Sequence, residues 1–523
     1  MMQWKGIQEC RFWHKLIQKK PDTALKQLSP QRIQQRIINA GGGLSYSYAA
    51  MDADDETIAL LQSCSDELEL INQYKTLLSG AVMNLGEKRM VLHHAVRGVV
   101  TTPVIVAGKN YTQFYADEVQ RFCEFAEKIR NGTIRGSTGA MFTDVVQIGI
   151  GGSDLGPRAL YLALENWAET RGTLKLKAHF ISNVDPDDAV QVLRTINPET
   201  TLFILVSKSG TTQETLANEY LVKQYIGSTV DPAKHFVAVT SETSPLAHNP
   251  QYLDSFYIDD YIGGRYSGTS AVGGVILSIS LGPDVFKELL AGANEADRTA
   301  LEPDITNNAA LMDALLGVYE RSVLDRPVIA ILPYAQALSR FPAHLQQLDM
   351  ESNGKSIDRN GKPVSIPTGP VVMGEPGTNG QHSFYQLLHQ GTAIVPIEFI
   401  GFCENQCSFD PEFEGSTAKK KLNANLVAQI AAFAQGSHSD DPNKDFPGMR
   451  PSSLLFGNVL SPRTLGALLA HFENKIMFQG FAWNLNSFDQ EGVQLGKVLT
   501  KEVLNPKGIS NSVLAAYASL LGL

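Results

Sequence analysis

The sequence predicts an α/β fold of two doubly wound parallel sheets, flanked by helices at the N-terminus and the C-terminus. The first observation is that short apolar, β-branched runs alternate with stretches of helical periodicity through the middle of the chain. The second is that two of these runs end in turns rich in glycine or hydroxyl residues, which then lead into helices. The third is the length of 523 residues, which suits two or three domains with full cores.

Composition narrows the class of protein further. Apolar residues make up 43% of the chain and charged residues only 19%, as in a large enzyme with much interior. There are 44 basic and 54 acidic residues, and the resulting charge of −10 argues against a nucleic-acid or anionic-membrane partner. No apolar run approaches the roughly 20 residues of a membrane span, and the N-terminus has no signal-peptide pattern. We therefore expect a cytoplasmic protein.

Cysteine usage agrees with a reducing compartment. The chain has five cysteines, an odd number, and Cys403-x-x-x-Cys407 is the only close pair. That pair lacks the second pair or the nearby histidine that a zinc site needs. We expect free thiols and no metal site.

The strand and helix pattern divides the chain into four parts. Helical periodicity over 56–78 and 87–97 indicates a helical N-terminal region, and an acidic, polar stretch at 291–307 is interpreted as a linker between the two α/β halves. The predicted parts are a helical region 1–115, a first α/β domain 116–290, a second α/β domain 291–480 and a C-terminal helical segment 481–523.

The most informative stretch is the apolar run Thr201–Val206 and the turn that follows it. Strand, turn and helix N-terminus leave backbone N–H groups without intrahelical partners at the positive end of a helix dipole, which favours an anion. The alternative is a helix cap only, since Thr211-x-x-Glu214 fits a capping box. The groups that could bind phosphate here are the hydroxyls of Ser207, Ser209, Thr211, Thr212 and Thr215 and the ammonium of Lys208.

A second junction of the same kind lies about fifty residues upstream. The strand Asp144–Ile150 leads into Gly151-Gly-Ser-Asp-Leu-Gly156, whose spacing fits neither a dinucleotide fingerprint nor a P-loop. A tight turn without a ligand is the alternative. Because parallel strands end at the same edge of a sheet, we expect both junctions to face one crevice.

Further residues could supply acid–base and electrostatic chemistry. Arg265 follows Gly263-Gly264 in a turn, which suits a developing oxyanion, although a surface arginine is the alternative. Gln347 and Glu351 lie four apart at the end of a helix predicted over 335–350, where Glu351 is either a general base or a solvated carboxylate. His382 is expected to open a helix that runs to Gln390, and a neutral imidazole there could accept a proton.

The last candidates lie near the C-terminus. Gln490 and Lys497 are seven apart on a helix predicted to start near Ser487, so they should share a face. Ser487-x-x-Gln490 could be only a capping box, and Lys497 only a surface lysine.

Together these motifs identify the chain as similar to the glucose-6-phosphate isomerase family, in that family's order. The matching stretches are Gly149-Ile-Gly-Gly-Ser-Asp-Leu-Gly-Pro157, Ser207-Lys-x-x-Thr-Thr-Gln-Glu-Thr215, Gly263-Gly-Arg-Tyr-Ser267, Asp349-Met-Glu-Ser-Asn-Gly-Lys355, Gly374-Glu-Pro-Gly-Thr-Asn-Gly-Gln-His382 and Phe488-Asp-Gln-x-Gly-Val-Gln-x-x-Lys497. The resemblance implies two sugar-isomerase (SIS) α/β domains wrapped by helices, and a homodimer with active sites at the subunit interface. It also implies the isomerisation of glucose 6-phosphate and fructose 6-phosphate in glycolysis and gluconeogenesis.

The resemblance also implies a role for each matching residue. Glu351 would move a proton between C2 and C1 through a cis-enediol, and Arg265 would stabilise the enediolate. His382, contributed by the partner subunit, and Lys497 would open the sugar ring. No metal or cofactor is implied. The substrate-binding residues would be Gly152, Ser153, Ser207, Lys208, Ser209, Thr212, Thr215, Gln347 and Gln490.

Three departures from the family pattern affect loops only. They are Gly210, where many members have a larger residue, Gly268, and Glu491, where tryptophan is common. Two alternatives stay open at this point: a sugar-phosphate sensor without catalysis, and an isomerase that also acts on mannose 6-phosphate. An extracellular signalling role has no support in the sequence.

Overall fold

The structure is a computed structural model that describes residues 4–99, 102–505 and 508–523. Met1–Gln3, part of the N-terminus interpreted above as lacking a signal peptide, lie outside the described residues. No helix in the described ranges is both long enough and apolar enough to cross a membrane.

Strands occur in both halves of the chain. Their bounds are β1 Ile37–Gly41, β2 Leu44–Ser47, β3 Ile105–Val106, β4 Lys109–Asn110, β5 Asp144–Ile148, β6 Lys177–Ile181, β7 Thr201–Val206, β8 Phe236–Thr240, β9 Asp254–Tyr257, β10 Val328–Pro333, β11 Val371–Met373, β12 Ile397–Phe402, β13 Glu412–Phe413, β14 Ser416–Thr417 and β15 Ser452–Gly457.

Helices separate most of these strands. Their bounds are α1 Trp13–Leu16, α2 Pro30–Gln35, α3 Asp55–Glu67, α4 Leu70–Leu78, α5 His93–Val96, α6 Tyr111–Arg130, α7 Leu155–Thr170, α8 Pro186–Leu193, α9 Gln213–Ile226, α10 Ala271–Ser280, α11 Pro283–Thr299, α12 Ala309–Val318, α13 Phe341–Asn353, α14 Tyr385–Gln390, α15 Ala418–Gln435, α16 Pro462–Ala482, α17 Gln494–Val503 and α18 Ser512–Leu520.

The first sheet has the order β6-β5-β7-β8-β9, and all its strands are parallel. Every residue of β7 is buried, as the apolar run predicted. Phe203 and Leu205 face a core shared with α8 and α9, whereas Leu202 and Ile204 face the main core on the side of α6 and α10. Helices therefore cover both faces, which confirms the doubly wound prediction.

The second sheet has the order β1-β2-β15-β12-β10-β11. Strands β15, β12, β10 and β11 are parallel, and the hairpin β1–β2 adds two antiparallel strands at one edge. The mostly helical N-terminal region therefore also contributes a hairpin that the sequence analysis did not foresee. Its turn uses Gly41, Gly42 and Gly43, which all have positive φ angles.

The predicted linker at 291–307 is wrong, because α11 continues to Thr299 and packs on α16. The two helices approach so closely that a Cβ on Gly292 would overlap the carbonyl of Arg463, and one on Gly466 would overlap the carbonyl of Leu289. Asp297, which made the stretch look solvated, is buried and accepts from Arg97 at 3.2 Å.

The predicted helix at 87–97 is also wrong over most of its length. Lys88 has a φ of 56°, and Asn84 pairs with Arg89 in an isolated bridge, so only α5 is helical. His93 and His94 on α5 are buried, with ring centroids 3.8 Å apart. Burial lowers the pKa of both imidazoles, so both favour the neutral form inside the protein.

Helix α13 carries a buried carboxylate, that of Asp349, on the face that packs into the protein. Its Oδ1 has no hydrogen-bond partner among the described residues. Burial, with the nearby charge of Asp313, raises the pKa of Asp349 from its ordinary 3.8 to about 7, against the opposing effect of Lys475. The folded protein therefore binds this proton more tightly than the unfolded chain does.

We predict that Asp349→Asn raises the thermal stability at pH 8 and loses this advantage toward pH 4. A carboxyl group whose folded pKa is raised costs stability as the pH rises from about 4 to about 7, and the cost persists above that range. An amide has no such cost, so the gain at pH 8 is about 1 to 3 kcal/mol. Melting temperatures of both proteins between pH 4 and pH 9 test this. A pH-independent difference would contradict it.

Candidate active site

The turn after β7 is built as an open helix N-terminus. Thr212 is the N-cap of α9, but its side chain makes no capping hydrogen bond. Its Oγ1 instead accepts from the Ser207 hydroxyl at 3.1 Å, and the Gly210 N–H donates to Ser207 Oγ at 3.1 Å. The capping box predicted from Thr211 and Glu214 is therefore not formed, and the first amides of the helix are available to an anion.

The remaining groups of this turn are held by local contacts. Lys208 Nζ donates to the Ile262 carbonyl at 3.2 Å, and burial lowers the pKa of this lysine. Ser209 Oγ accepts from the backbone and hydroxyl of Thr211 at 3.2 and 2.9 Å. Thr215 is buried, and its Oγ1 has no partner among the described residues. Gly210 has a φ of 67°, and an added Cβ would overlap Ser244 Oγ, which accounts for glycine at this departure from the family pattern.

The glycine turn after β5 meets the arginine turn directly. Gly151–Ser153 forms a 3-10 turn, and a Cβ on Gly152 would overlap the backbone of Gly264. On its other side, Gln347 Nε2 lies 3.4 Å from where a Cβ of Gly151 would be. The missing side chains thus let the glycine turn approach both the Arg265 turn and α13.

Helix α13 carries Gln347 and Glu351 on one face, as predicted. The helix begins at Phe341, later than predicted, and Leu338 belongs to a separate 3-10 turn at Gln336–Leu338. Gln347, Glu351 and Gln490 line a cavity of about 670 Å³. The cavity is large enough for a hexose phosphate.

Arg265 is the most constrained side chain of this cluster. It is 2% exposed, so the surface alternative is wrong. Its Nη1 lies 3.2 Å from both Glu351 Oε2 and Gln490 Oε1. The other donors bond Ser352 Oγ at 2.7 Å, the Ser487 carbonyl at 2.7 Å and the Asp489 carbonyl at 2.9 Å.

Two candidates, His382 and Lys497, do not line this cavity. His382 does not open a helix: it ends the 3-10 turn Asn379–His382, before α14 begins at Tyr385, and it is exposed. Lys497 is exposed on α17, which begins at Gln494. The predicted helix start at Ser487 is wrong, because Ser487 is buried and donates to Asn353 Oδ1 at 2.7 Å.

Three residues that hold the cluster together, Ser352, Lys355 and Asp489, were not among the predicted site residues. Ser352 bonds both Arg265 and the Tyr266 hydroxyl, the latter at 3.0 Å, while Lys355 and Asp489 form an ion pair at 3.2 Å. All three lie within stretches that match the family, but no local pattern marked them because their partners are far away along the chain.

The second half has a junction equivalent to the turn after β7, but there the free amides of the helix N-terminus are bonded by side chains of the same chain. The order β11-β10-β12-β15 corresponds to β6-β5-β7-β8, so α15 after β12 corresponds to α9 after β7. The Asp410 carboxylate accepts from the N–H groups of Ala418 and Lys419 at 3.0 and 3.1 Å, and Thr417 Oγ1 accepts from Lys420 at 3.3 Å.

A buried cluster of possible metal ligands, Asp313, Glu398 and His471, lies in the second half. The Lys475 ammonium already pairs with Asp313 at 3.0 Å and with Glu398. The positive charge that these carboxylates neutralise is therefore the Lys475 ammonium, not a metal ion. None of the three residues lines the cavity at Glu351.

Comparison with known proteins gives one consistent result. The family model described as phosphoglucose isomerase matches residues 46–523. The chain is 56% identical to a glucose-6-phosphate isomerase of Treponema pallidum (strain Nichols), over 100% of this chain and 99% of the relative. It is 42% identical to a glucose-6-phosphate isomerase of Borreliella burgdorferi (strain B31), over 99% of each. The crystal structure of a glucose-6-phosphate isomerase from Chlamydia trachomatis superposes with a TM-score of 0.91, at 44% identity over 99% of each chain.

We predict that Gly152→Ala destabilises the protein by about 2 to 4 kcal/mol, because the new methyl group must displace the backbone of Gly264. Gly264→Ala is the matched control, since its Cβ would lie 3.7 Å from Gly152 Cα, an ordinary contact. Thermal denaturation of both variants measures the difference. Equal melting temperatures would show that the two turns are not in close contact.

Proposed function

Because the chain belongs to the phosphoglucose isomerase family, we propose that it interconverts glucose 6-phosphate and fructose 6-phosphate, a step of glycolysis and gluconeogenesis. The enzyme is an aldose–ketose isomerase, an intramolecular oxidoreductase. The single observation that carries the mechanism is the Glu351 carboxylate paired with buried Arg265 at the wall of a cavity that also contains Gln347 and Gln490.

The substrate phosphate binds at the start of α9. The helix amides are free of side-chain caps there, and the hydroxyls of Ser207, Ser209 and Thr212 surround them. Lys208 adds the cation that a negatively charged protein must place locally, and Ser153 with Gly152 brings the glycine turn to the same crevice. Thr215 is buried below this turn and supports it from within.

Glu351 is the base that carries the proton between the two carbons. It takes the proton from C2 of the open-chain aldose, and negative charge develops on the C1 oxygen of the enediolate. The proton of the C2 hydroxyl passes to that oxygen, and the C2 carbonyl forms as Glu351 returns its proton to C1. Arg265 stabilises the oxygen on which negative charge develops, since its guanidinium is fixed by neutral main-chain and side-chain acceptors before the reaction begins. Gln347 and Gln490 orient the sugar hydroxyls.

Ring opening uses His382 and Lys497, as the family resemblance suggests. Both side chains are exposed and neither lines the cavity of its own chain. We propose, as the resemblance implies, that His382 completes the site of the partner subunit in a homodimer. The C-terminal helices support an assembly: Val513, Tyr517 and Leu520 form an exposed apolar stripe on α18. A second copy of the chain is the surface that buries it.

The two alternative functions, a sugar-phosphate sensor and an isomerase that also acts on mannose 6-phosphate, have less support from the site. A sensor without catalysis needs the phosphate turn, but it does not need a carboxylate held by a buried guanidinium. Action on mannose 6-phosphate depends on contacts to one hydroxyl, and comparing turnover of the two aldoses decides it. We also propose that the enzyme works in the cytoplasm, where free thiols such as those of Cys10, Cys64 and Cys123 stay reduced.

We predict that Glu351→Gln lowers turnover of fructose 6-phosphate at least about 1,000-fold while sugar-phosphate binding survives, because an amide cannot accept the proton. The wild-type protein is assayed first after exhaustive EDTA treatment, and Glu127→Gln, an exposed carboxylate on α6, serves as the control. Loss of binding together with activity would mean that Glu351 is structural. Wild-type activity that returns only with added metal would overturn the roles of Glu351 and Arg265.

We predict that the protein sediments at twice the 57.0 kDa of one chain and that its sites are shared. A heterodimer of Glu351→Gln and His382→Ala chains, purified through two different tags, then contains one intact site and shows about half the wild-type activity. Each variant alone is nearly inactive. A heterodimer as inactive as its parents would place His382 in the site of its own chain.

A further inference from the structure

We propose that Lys355 is a positioning residue for the isomerisation, which holds the last turn of α13 against the segment 487–490 so that Glu351 and Gln490 face the same cavity. The inference rests on the proposed function. It assigns a role to a lysine at the edge of the cavity whose ammonium bonds the backbone of Glu351 and Ser352 and the Asp489 carbonyl.

The ammonium of Lys355 joins two segments that are far apart in the chain. Its Nζ lies 3.1 Å from the Glu351 carbonyl and 2.9 Å from the Ser352 carbonyl, both in the last turn of α13. It also lies 3.1 Å from the Asp489 carbonyl and 3.2 Å from Asp489 Oδ1. One side chain thus ties the base's own backbone to the residue that precedes Gln490.

The position explains why a cation is needed there. The last carbonyls of a helix lack intrahelical partners and carry the negative end of the helix dipole. The N–H of Gly354 satisfies Met350, and the N–H of Lys355 satisfies Asn353, which leaves the carbonyls of Glu351 and Ser352 to the Lys355 ammonium. Without this ammonium, the turn that carries Glu351 loses its C-terminal anchor.

Two cations and two carboxylates neutralise each other around Lys355, and removing the lysine would leave one negative charge in excess. The Asp489 carbonyl accepts from both Lys355 and Arg265, and the carboxylates of Glu351 and Asp489 face these two cations. Burial and the neighbouring Arg265 lower the pKa of Lys355 to about 8, against the opposing effects of Asp489 and Glu351. A neutral side chain at 355 leaves Asp489 as an unneutralised charge beside the base.

The test compares Lys355→Met and Lys355→Arg with the wild type under the same assay. The control is Lys419→Met, at a half-buried lysine outside the cavity.

Lys355→Met is expected to lower kcat about 30- to 100-fold with KM within about threefold, since the phosphate is held elsewhere and only the base is displaced. Lys355→Arg is expected to recover part of kcat and to keep more of its activity at pH 9 than the wild type, because a guanidinium stays charged. Lys419→Met is expected to leave both constants within about twofold.

A double-mutant cycle separates positioning from a general loss of stability. In the Glu351→Asp background, where the carboxylate is already displaced, Lys355→Met is expected to cost less than about threefold more. A full additional loss in that background, an unchanged kcat in Lys355→Met, or a fall in kcat that follows the folded fraction at the assay temperature would each overturn the inference. Absence of isomerase activity in the wild type would instead overturn the proposed function itself, before any variant is compared.

Discussion

The burial of one guanidinium, that of Arg265, is the constraint on which the site depends. Removing a charged group from water costs several kcal/mol unless nearly every donor finds an acceptor. Arg265 comes from the first half of the chain, yet its partners are Ser352 and Glu351 on α13 and the carbonyls of Ser487 and Asp489 near the C-terminus. The donors of Arg265 therefore find their acceptors only when both halves and the C-terminal segment are in place. The cavity is thus assembled as the protein folds.

Much of the first sheet could be predicted from the sequence because its information is local. The apolar run of β7 is buried on both faces, and glycines mark turns where backbones approach closely, so periodicity and composition suffice. The errors arose where a polar residue finds its partner far along the chain. Asp297 made α11 resemble a linker, but Arg97 neutralises it inside the protein. The hairpin β1–β2 was missed because its strands are short and because β2 joins the sheet through β15, which is distant in the sequence.

The same distinction applies to the site. The helical spacing of Gln347 and Glu351 predicted a shared face, and it is there. Pattern alone could not distinguish Arg265 from a surface arginine, and it gave no reason to select Ser352, Lys355 or Asp489, whose contacts depend on tertiary packing. The helix starts expected near Ser487 and at His382 failed for a related reason, since Ser487 is drawn into the interior by Asn353. Local sequence identifies reactive groups better than it identifies what holds them.

Asp410 determines which of two corresponding helix N-termini, those of α9 and α15, is open to an anion. The two halves share a strand order, and each ends a central strand in a helix N-terminus that attracts an anion. In the second half that anion is covalently attached, and a tethered carboxylate competes at an effective concentration in the millimolar range or higher. A free phosphate ester in the cell must displace it, whereas at α9 the same ester meets no such competitor. The Asp410 side chain therefore breaks the near-symmetry of the two halves: of these two helix N-termini, that of α9 is the one left open to the phosphate ester that we propose binds there.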